Sequence, residues 1–324
     1  TTYLRLGKIK KGWKHYHHRF DQTGFPTQIR KYSKPRLKDI SGLKGKTLLI
    51  WREQGVGDEL TAYGLLEKFR KVTKANIILE TDPRLVELVQ RSNQKISVRG
   101  AEDYGKSVEA GYEDFDFHMP MADMFIFLEC SVSSSDWLKP WLNIDEKLIS
   151  KWHSKIQKKG LRIAFACQSH LKNAKRARQS NMNFDFFAPL IEDSPHTWVC
   201  LDYNLDEEVQ NSIAPAFKEK IYFPKIDLKN DFHEVAAILK NCDILLSPYM
   251  ALRSLAGAAG TRSASFVRGT PYHFDLGASL MTPNYFLSPL TPNSSVIQFP
   301  DDVNDYEFNQ ELLNFFERTI SQID

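Results

Sequence analysis

The sequence predicts an α/β protein of two domains, each built on a parallel sheet, and three observations carry that prediction. Strand-length apolar runs alternate with helix-period patterns from residue 47 to about residue 129. A second alternation runs from 161 to 267. Between them SVSSSDWLKPW (131–141) has turn chemistry followed by a proline. A chain of 324 residues with 42% hydrophobic content can bury two medium cores.

The elements follow in order. KIKKGWKHYHHRF (8–20) reads as a short basic helix with Trp13, Tyr16 and Phe20 on one side. Residues 21–46 hold Gly24, Pro26, Pro35, Gly42, Gly45 and many lysines, which predicts an extended linker. TLLIW (47–51) is a strand, and Asp58 to Lys71 a helix with Leu60, Tyr63, Leu66 and Phe69 at helical spacing. ANIILE (75–80) is a strand, and Pro83 opens a helix over PRLVELVQR. KISV (95–98) and FDFHM (115–119) are short strands, and 121–129 a buried helix. The second set is strand 161–167, helix 184–191, strand 196–201, a helix near 205–213, strand 221–223 and helix 231–242. It continues with strand 243–247, helix 251–260, strand 263–267 and an amphipathic helix over 305–320. The division this gives is an N-terminal helix and linker over 1–45, a first domain over 46–155 and a second over 156–324.

Composition narrows the function classes. Charged residues are 26% and the net charge is +3, too small to argue for a nucleic-acid partner. No apolar run reaches the ~18 residues of a membrane helix. The opening TTYLRLGKIKKGW lacks the apolar core of a signal peptide, and the missing initiator Met reads as a trimmed chain or a piece of a longer one. Cys130, Cys167, Cys200 and Cys242 form no CxxC pair, and the last three sit in or beside apolar strands. They read as buried free thiols, which suits a reducing cytoplasm. His15 and His18 lie one helical turn apart, a spacing open to zinc, but the cluster reads without a carboxylate or cysteine to complete a site. No metal is expected, and no GxSxG hydrolase elbow is present.

Three segments carry chemistry. WREQGVGDEL (51–60) joins the first strand to the first helix, and its two glycines suggest a sharp turn. Asp58 falls at the helix N-terminus, where it either caps backbone N–H groups or serves a substrate. The loop is not GxGxxG, because Leu60 stands where the third glycine belongs, and no GK[ST] follows. ACQSHLKNAKRARQSNMNFDFF (166–187) sets Lys172, Lys175, Arg176 and Arg178 among Gln168, Ser169, His170, Asn173 and Ser180. Basic groups and hydroxyls at a strand's carboxyl end suit a diphosphate, although a solvated basic loop has the same composition. A nucleic-acid patch is a weaker reading, because no aromatic residues interleave with the run. SPYMALRSLAGAAG (247–260) places a small-residue helix against a sheet; its N-terminus suits a phosphate, while Gly257 and Gly260 equally suit close packing.

Taken together these segments resemble a known family. LKGKTLLIWREQGVGDEL is similar to the start of the glycosyltransferase-like domain that follows tetratricopeptide repeats in many bacterial proteins. GKIKKGWKHYHHRF resembles the last helix of such an array, with Gly12, Trp13, Tyr16, Arg19 and Phe20 in the matching places. ETDPRLVELVQRS, HLKNAKRARQS with FAPL, DFHEVAAILKNCDILLS and LAGAAG match further blocks, so the resemblance spans nearly the whole chain. It implies the GT-B class, two Rossmann-like domains facing a cleft, related to heptosyltransferases and distantly to O-GlcNAc transferases. The domain over 46–155 would then take the acceptor, a saccharide or protein, and that over 156–324 the nucleotide-sugar donor. Inverting transfer with no metal and no cofactor beyond the donor is implied, with no nucleic acid and no membrane span.

Asp58 matches the family's catalytic base, and Glu53, Gln54, Gly55 and Gly57 its acceptor-side loop. Gln168, Ser169, Lys172, Arg178, Arg253, Ser254 and Gly257 match the donor-phosphate side. Three departures lie on that side. Tyr249–Met250 replace a polar pair, Ser254 replaces a histidine, and Asn284–Tyr285 replace a Trp-Tyr pair. They keep open a second reading, a binding module of the same fold without donor chemistry.

Overall fold

TLLIW forms β1 (Thr47–Trp51), and Leu48 to Trp51 are fully buried. Near-continuous burial of this kind is what a parallel strand covered on both faces requires. The chain is described from a computed structural model, which covers all residues except 1, 7, 26, 28, 102–113, 129–138, 158, 169–180, 206–209, 211, 212, 214, 270–284, 289, 290, 301 and 324. Cys130, the 169–180 part of the basic run, and most of the helix expected near 205–213 fall outside the described residues. Contacts divide the chain into two compact units, the first within residues 1–143 and the second beginning at Ile144.

In the first unit β1 pairs in parallel with β2 (Asn76–Thr81) and β4 (Phe117–Pro120), and β2 with β3 (Ser97–Gly100), giving the order β3-β2-β1-β4. The helix expected over 58–71 is two helices, Val56–Tyr63 and Leu66–Thr73, broken at Gly64. Asp82 caps the turn at Pro83, accepting from Arg84 N–H at 3.1 Å, and the helix Val86–Ser92 follows. At the N-terminus a short helix Thr2–Arg5 crosses the helix Ile9–Tyr16 so closely that a Cβ on Gly12 would lie 2.4 Å from Leu4 Cδ2. The expected linker is extended, and it runs along the sheet. Arg36 bridges in parallel to His118, with Leu37 N–H donating to His118 O at 2.8 Å and His118 N–H to Pro35 O at 3.2 Å.

The second unit carries β5 (Arg162–Phe165), β6 (Thr197–Cys200), β7 (Ile221–Tyr222), β8 (Ile244–Pro248), β9 (Arg262–Arg268), β10 (Tyr285–Leu287) and β11 (Ser294–Phe299). Their order is β10-β11-β9-β8-β5-β6-β7, with every pair parallel except β10–β11. Apart from the antiparallel edge this is the doubly wound order, which reverses between β5 and β8. The core gathers Phe165, Phe187, Trp198, Phe266, Phe308 and Phe316. Phe308 and Phe316 come from the helix Asp305–Ser321, capped by Asn304 Oδ1 accepting from Glu307 N–H at 2.9 Å.

Two features of the fold are not legible in the sequence. The helix Glu146–Lys155 lies in the stretch read as a boundary, and it packs on the second unit through Lys151 and Trp152, both bonded to Glu234. The other is the pair β10 and β11: YFL is only three residues long, and SSVIQF is half polar and set among polar turn residues, so neither gives a clear apolar run.

Candidate functional site

The first sheet reverses its order between β1 and β4, so the loops after these two strands flank the crevice where open α/β sheets hold ligands. Three carboxylates lie on the β1 loop, and the structure separates them. Glu53 is fully buried and held by both oxygens: Arg19 Nε donates to Oε2 and Nη2 to Oε1, each at 2.7 Å. Its Oε1 also accepts from Ala122 N–H at 3.0 Å, which ties the β1 loop to the β4 loop. Arg19 Nη2 reaches Asp123 Oδ1 at 2.8 Å, and Arg36 Nη2 reaches Asp123 Oδ2 at 2.9 Å. Burial opposes the charge on Arg19, but Glu53 and Asp123 raise it above the usual arginine value, so it stays protonated.

Glu59 is fully buried as well. Arg52 Nη2 lies 2.7 Å from its Oε1, and Tyr63 Oη, Thr81 Oγ1 and Asp82 N–H donate to its Oε2 at 2.8, 2.8 and 2.9 Å. Burial pushes this carboxyl up, with Arg52 pulling the other way. Arg52 also bonds Asp82 Oδ2 at 2.9 Å and Ala101 O at 2.8 Å.

Asp58 is the half-buried one of the three. It stands at the third position of the helix Val56–Tyr63, and its Oδ2 accepts from Gly55 N–H at 3.0 Å. Glycine has no side chain to return the bond, so this is half of a capping box. The turn itself is not made by the glycines, as the sequence suggested. Gly55 is extended at φ −105°, and the left-handed residue is Gln54 at φ 61°. Such a conformation is uncommon for a residue with a side chain. Here Thr27 Oγ1 accepts Gln54 N–H at 2.7 Å, and Gln54 Nε2 donates to Tyr16 Oη at 3.1 Å. Gly57 lies inside the helix, its carbonyl accepting from Thr61 Oγ1 at 2.9 Å. Tyr16 is driven well above its usual pKa by burial, and Glu53 and Asp58 add to this against the pull of Arg19.

In the second unit the loops after β5 and β8 flank the order reversal. Gln168 is half-buried, and its N–H donates to Asp202 Oδ2 at 2.9 Å beside that of Cys167 at 2.8 Å. Ser169, Lys172 and Arg178 lie outside the described residues. Asp202, missed in the sequence, follows β6 and is buried; its signal was an acid closing the apolar run WVCL. A cleft of about 410 Å³ opens at the carboxyl ends of β6 and β7, lined by Cys200, Asp202, Tyr203, Phe223, Ile226 and Asp227 among others.

The helix Ala251–Ala259 turns its matched residues inward. Arg253 is buried, with Nη1 3.2 Å from Ser294 Oγ and Cζ 3.9 Å from the centre of the Tyr249 ring. Ser254 is buried beside it. A Cβ on Gly257 would meet Thr291 Cγ2 at 2.6 Å and Pro292 O at 3.0 Å, so this glycine sits in close packing.

The histidine cluster does have a carboxylate neighbour, since His18 Nδ1 lies 3.0 Å from Asp21 Oδ2 on the surface. Among the described residues no group of three or more His, Cys, Asp or Glu is arranged to hold a metal ion. Cys167, Cys200 and Cys242 are free and buried. Burial raises all three thiols, the last two up to about 12, so they remain protonated and unreactive at neutral pH. No helix of the described residues is long and apolar enough to cross a membrane.

No protein-family model matches the chain. Among curated proteins, FlbA of Caulobacter vibrioides is 28% identical over 278 residues, which are 81% of this chain and 46% of FlbA. The chain thus spans about half the length of that relative. Among solved structures, a family 9 glycosyl transferase from Veillonella parvula aligns with a TM-score of 0.57 at 13% identity, over 89% of this chain and 100% of that one. ADP-heptose lipopolysaccharide heptosyltransferase II of E. coli aligns with a TM-score of 0.55 at 12% identity, over 84% and 99%. At such identities the likeness is one of fold, and the fold is GT-B-like α/β.

Proposed function

We propose that the chain is a glycosyltransferase that moves a sugar from a nucleotide-activated donor to an acceptor hydroxyl with inversion. The observation that carries this reading is the sorting of the β1-loop carboxylates. Glu53 and Glu59 are fully buried in ion pairs, whereas Asp58 reaches solvent at the carboxyl end of β1. Asp58 takes the proton of the acceptor hydroxyl, and that oxygen attacks the anomeric carbon through an oxocarbenium-like state. The departing nucleoside diphosphate is held by the second unit. The cleft after β6 and β7 takes the nucleoside, and Gln168 with Ser169, Lys172 and Arg178 the phosphates. No metal takes part, and the enzyme works in the cytoplasm, where free buried thiols persist.

One observation favours the second reading, a binding module without donor chemistry. Arg253 and Gly257, matched to the donor side, are engaged in packing and in a contact with Ser294. A screen of ADP-, GDP-, UDP- and CMP-sugars, scored by nucleotide release with and without EDTA, decides between them. Turnover of one donor that survives EDTA supports the transferase. Binding of a donor with no release supports the module.

A further inference from the structure

The segment Gly12–Phe20 stands out in the sequence, yet the reaction proposed above gives it nothing to do. In the structure it is the support of the β1 loop. Trp13 stacks on Phe125 of the helix Asp123–Phe127, with ring centroids 4.9 Å apart and planes 9° from parallel. Arg19 Nη1 donates to Tyr16 O at 3.1 Å, so the two residues that grip the loop are locked to each other. From there Arg19 takes both oxygens of Glu53 and Tyr16 takes Gln54 Nε2, while Thr27 further along the arm takes Gln54 N–H. Gln54 is left-handed, a conformation its own backbone does not favour. The bonds to Thr27 Oγ1 and Tyr16 Oη that hold it there come from the arm and not from the sheet. The next residue, Gly55, carries the N–H that Asp58 accepts.

We propose that residues 12–27 form a positioning element for the β1 loop: Arg19 acting through Glu53, and Tyr16 and Thr27 acting through Gln54, fix the backbone that presents Asp58. The inference rests on the reading of Asp58 as the base for its functional meaning, but its structural content stands apart from that reading. None of Arg19, Tyr16 or Thr27 is a catalytic residue. They hold the left-handed turn that sets the start of the helix and the lock between Gly55 and Asp58.

Amide hydrogen exchange on the full chain tests this without any substrate. Two variants are compared with wild type, Arg19→Met and Thr27→Val. The second removes one hydroxyl and is the decisive one if the first does not fold. The decisive reporter is the Gly55 amide, whose own acceptor on Asp58 neither substitution touches. In Thr27→Val exchange at Gly55 should rise about tenfold or more while the amides of β1 and β2 keep their wild-type rates; in Arg19→Met, which also breaks a buried ion pair, Gly55 should rise further than those amides do. Unchanged exchange at Gly55 overturns the proposal. An equal rise through β1 and β2 also overturns it, because the arm is then only a brace for the sheet.

A donor found in the nucleotide-sugar screen adds a kinetic arm. Thr27→Val should lower kcat and leave the donor KM unchanged. If Asp58→Asn turns over normally, the reading of Asp58 fails, while the exchange result still decides the positioning role.

Discussion

At the scale of single residues, burial separates the caged ionisable groups from those that reach solvent. Glu53 and Glu59 each sit in a cage of donors, and such a carboxylate is costly to disturb. His118 shows the same logic in a titratable form. It accepts from Trp51 Nε1 at 3.1 Å, and burial, then Arg36 and Arg30, bring it down to about 4. Between pH 4 and about 6.5 the unfolded chain takes up a proton that native His118 refuses. Its contribution to stability is therefore whole above 6.5 and is lost as pH falls towards 4. Glu59, raised by burial, works in the opposite direction nearby, so the measurement needs a reference. Tm followed from pH 7 to 4 should fall more steeply in wild type than in His118→Asn, which keeps an acceptor for Trp51. Parallel curves would remove His118 from the account.

At the scale of elements, the helix Ala251–Ala259 shows how packing constrains a segment that also resembles a phosphate site. Gly257→Ala puts a methyl 2.6 Å from Thr291 Cγ2 and should cost about 1–3 kcal/mol in denaturant melts. Thr291→Ser removes that methyl and should restore part of the loss, leaving the contact with Pro292 O. A neutral Gly257→Ala would contradict the packing role. This helix was legible in the sequence because small residues at helical spacing signal close approach, although the same residues suggest a phosphate. β1, β2, β5, β8 and β9 were legible too, since their apolar runs reflect burial on both faces. The turn after β1 was misplaced on its glycines. What makes Gln54 left-handed is Thr27 and Tyr16, residues 27 and 38 positions away, and local sequence carries no record of such partners. Asp202 was passed over for a similar reason, because its role depends on the 167–168 backbone beside it in space.

At the scale of the whole molecule, the N-terminal arm belongs to the first unit in energetic terms. Arg19, Arg30 and Arg36 reach from it to Glu53, Glu80 and Asp123, which are all buried. Removing residues 1–45 leaves Glu53 and Asp123 without their arginines, while Glu80 keeps Arg99, and a buried carboxylate left unpaired in this way costs about 3–5 kcal/mol. The truncated chain should lose exchange protection across β1 to β4. The amides of β5 and β8 should stay protected, because the second core around Phe165, Trp198 and Phe316 draws on its own elements. Retained protection of β1 would contradict this. The resemblance noted from Trp13, Tyr16 and Arg19 was thus legible as a pattern, but the ion pairs that give it a purpose were not, since each joins residues 34 to 104 apart.

The proposed reaction turns on Asp58. Its most direct test is the rate at which wild type and Asp58→Asn release nucleoside diphosphate from the donor that the nucleotide-sugar screen identifies, with Tm measured in parallel. In Asp58→Asn kcat should fall about 10²–10⁴-fold with the fold intact, the scale of a lost general base. Equal turnover by the two proteins would contradict it.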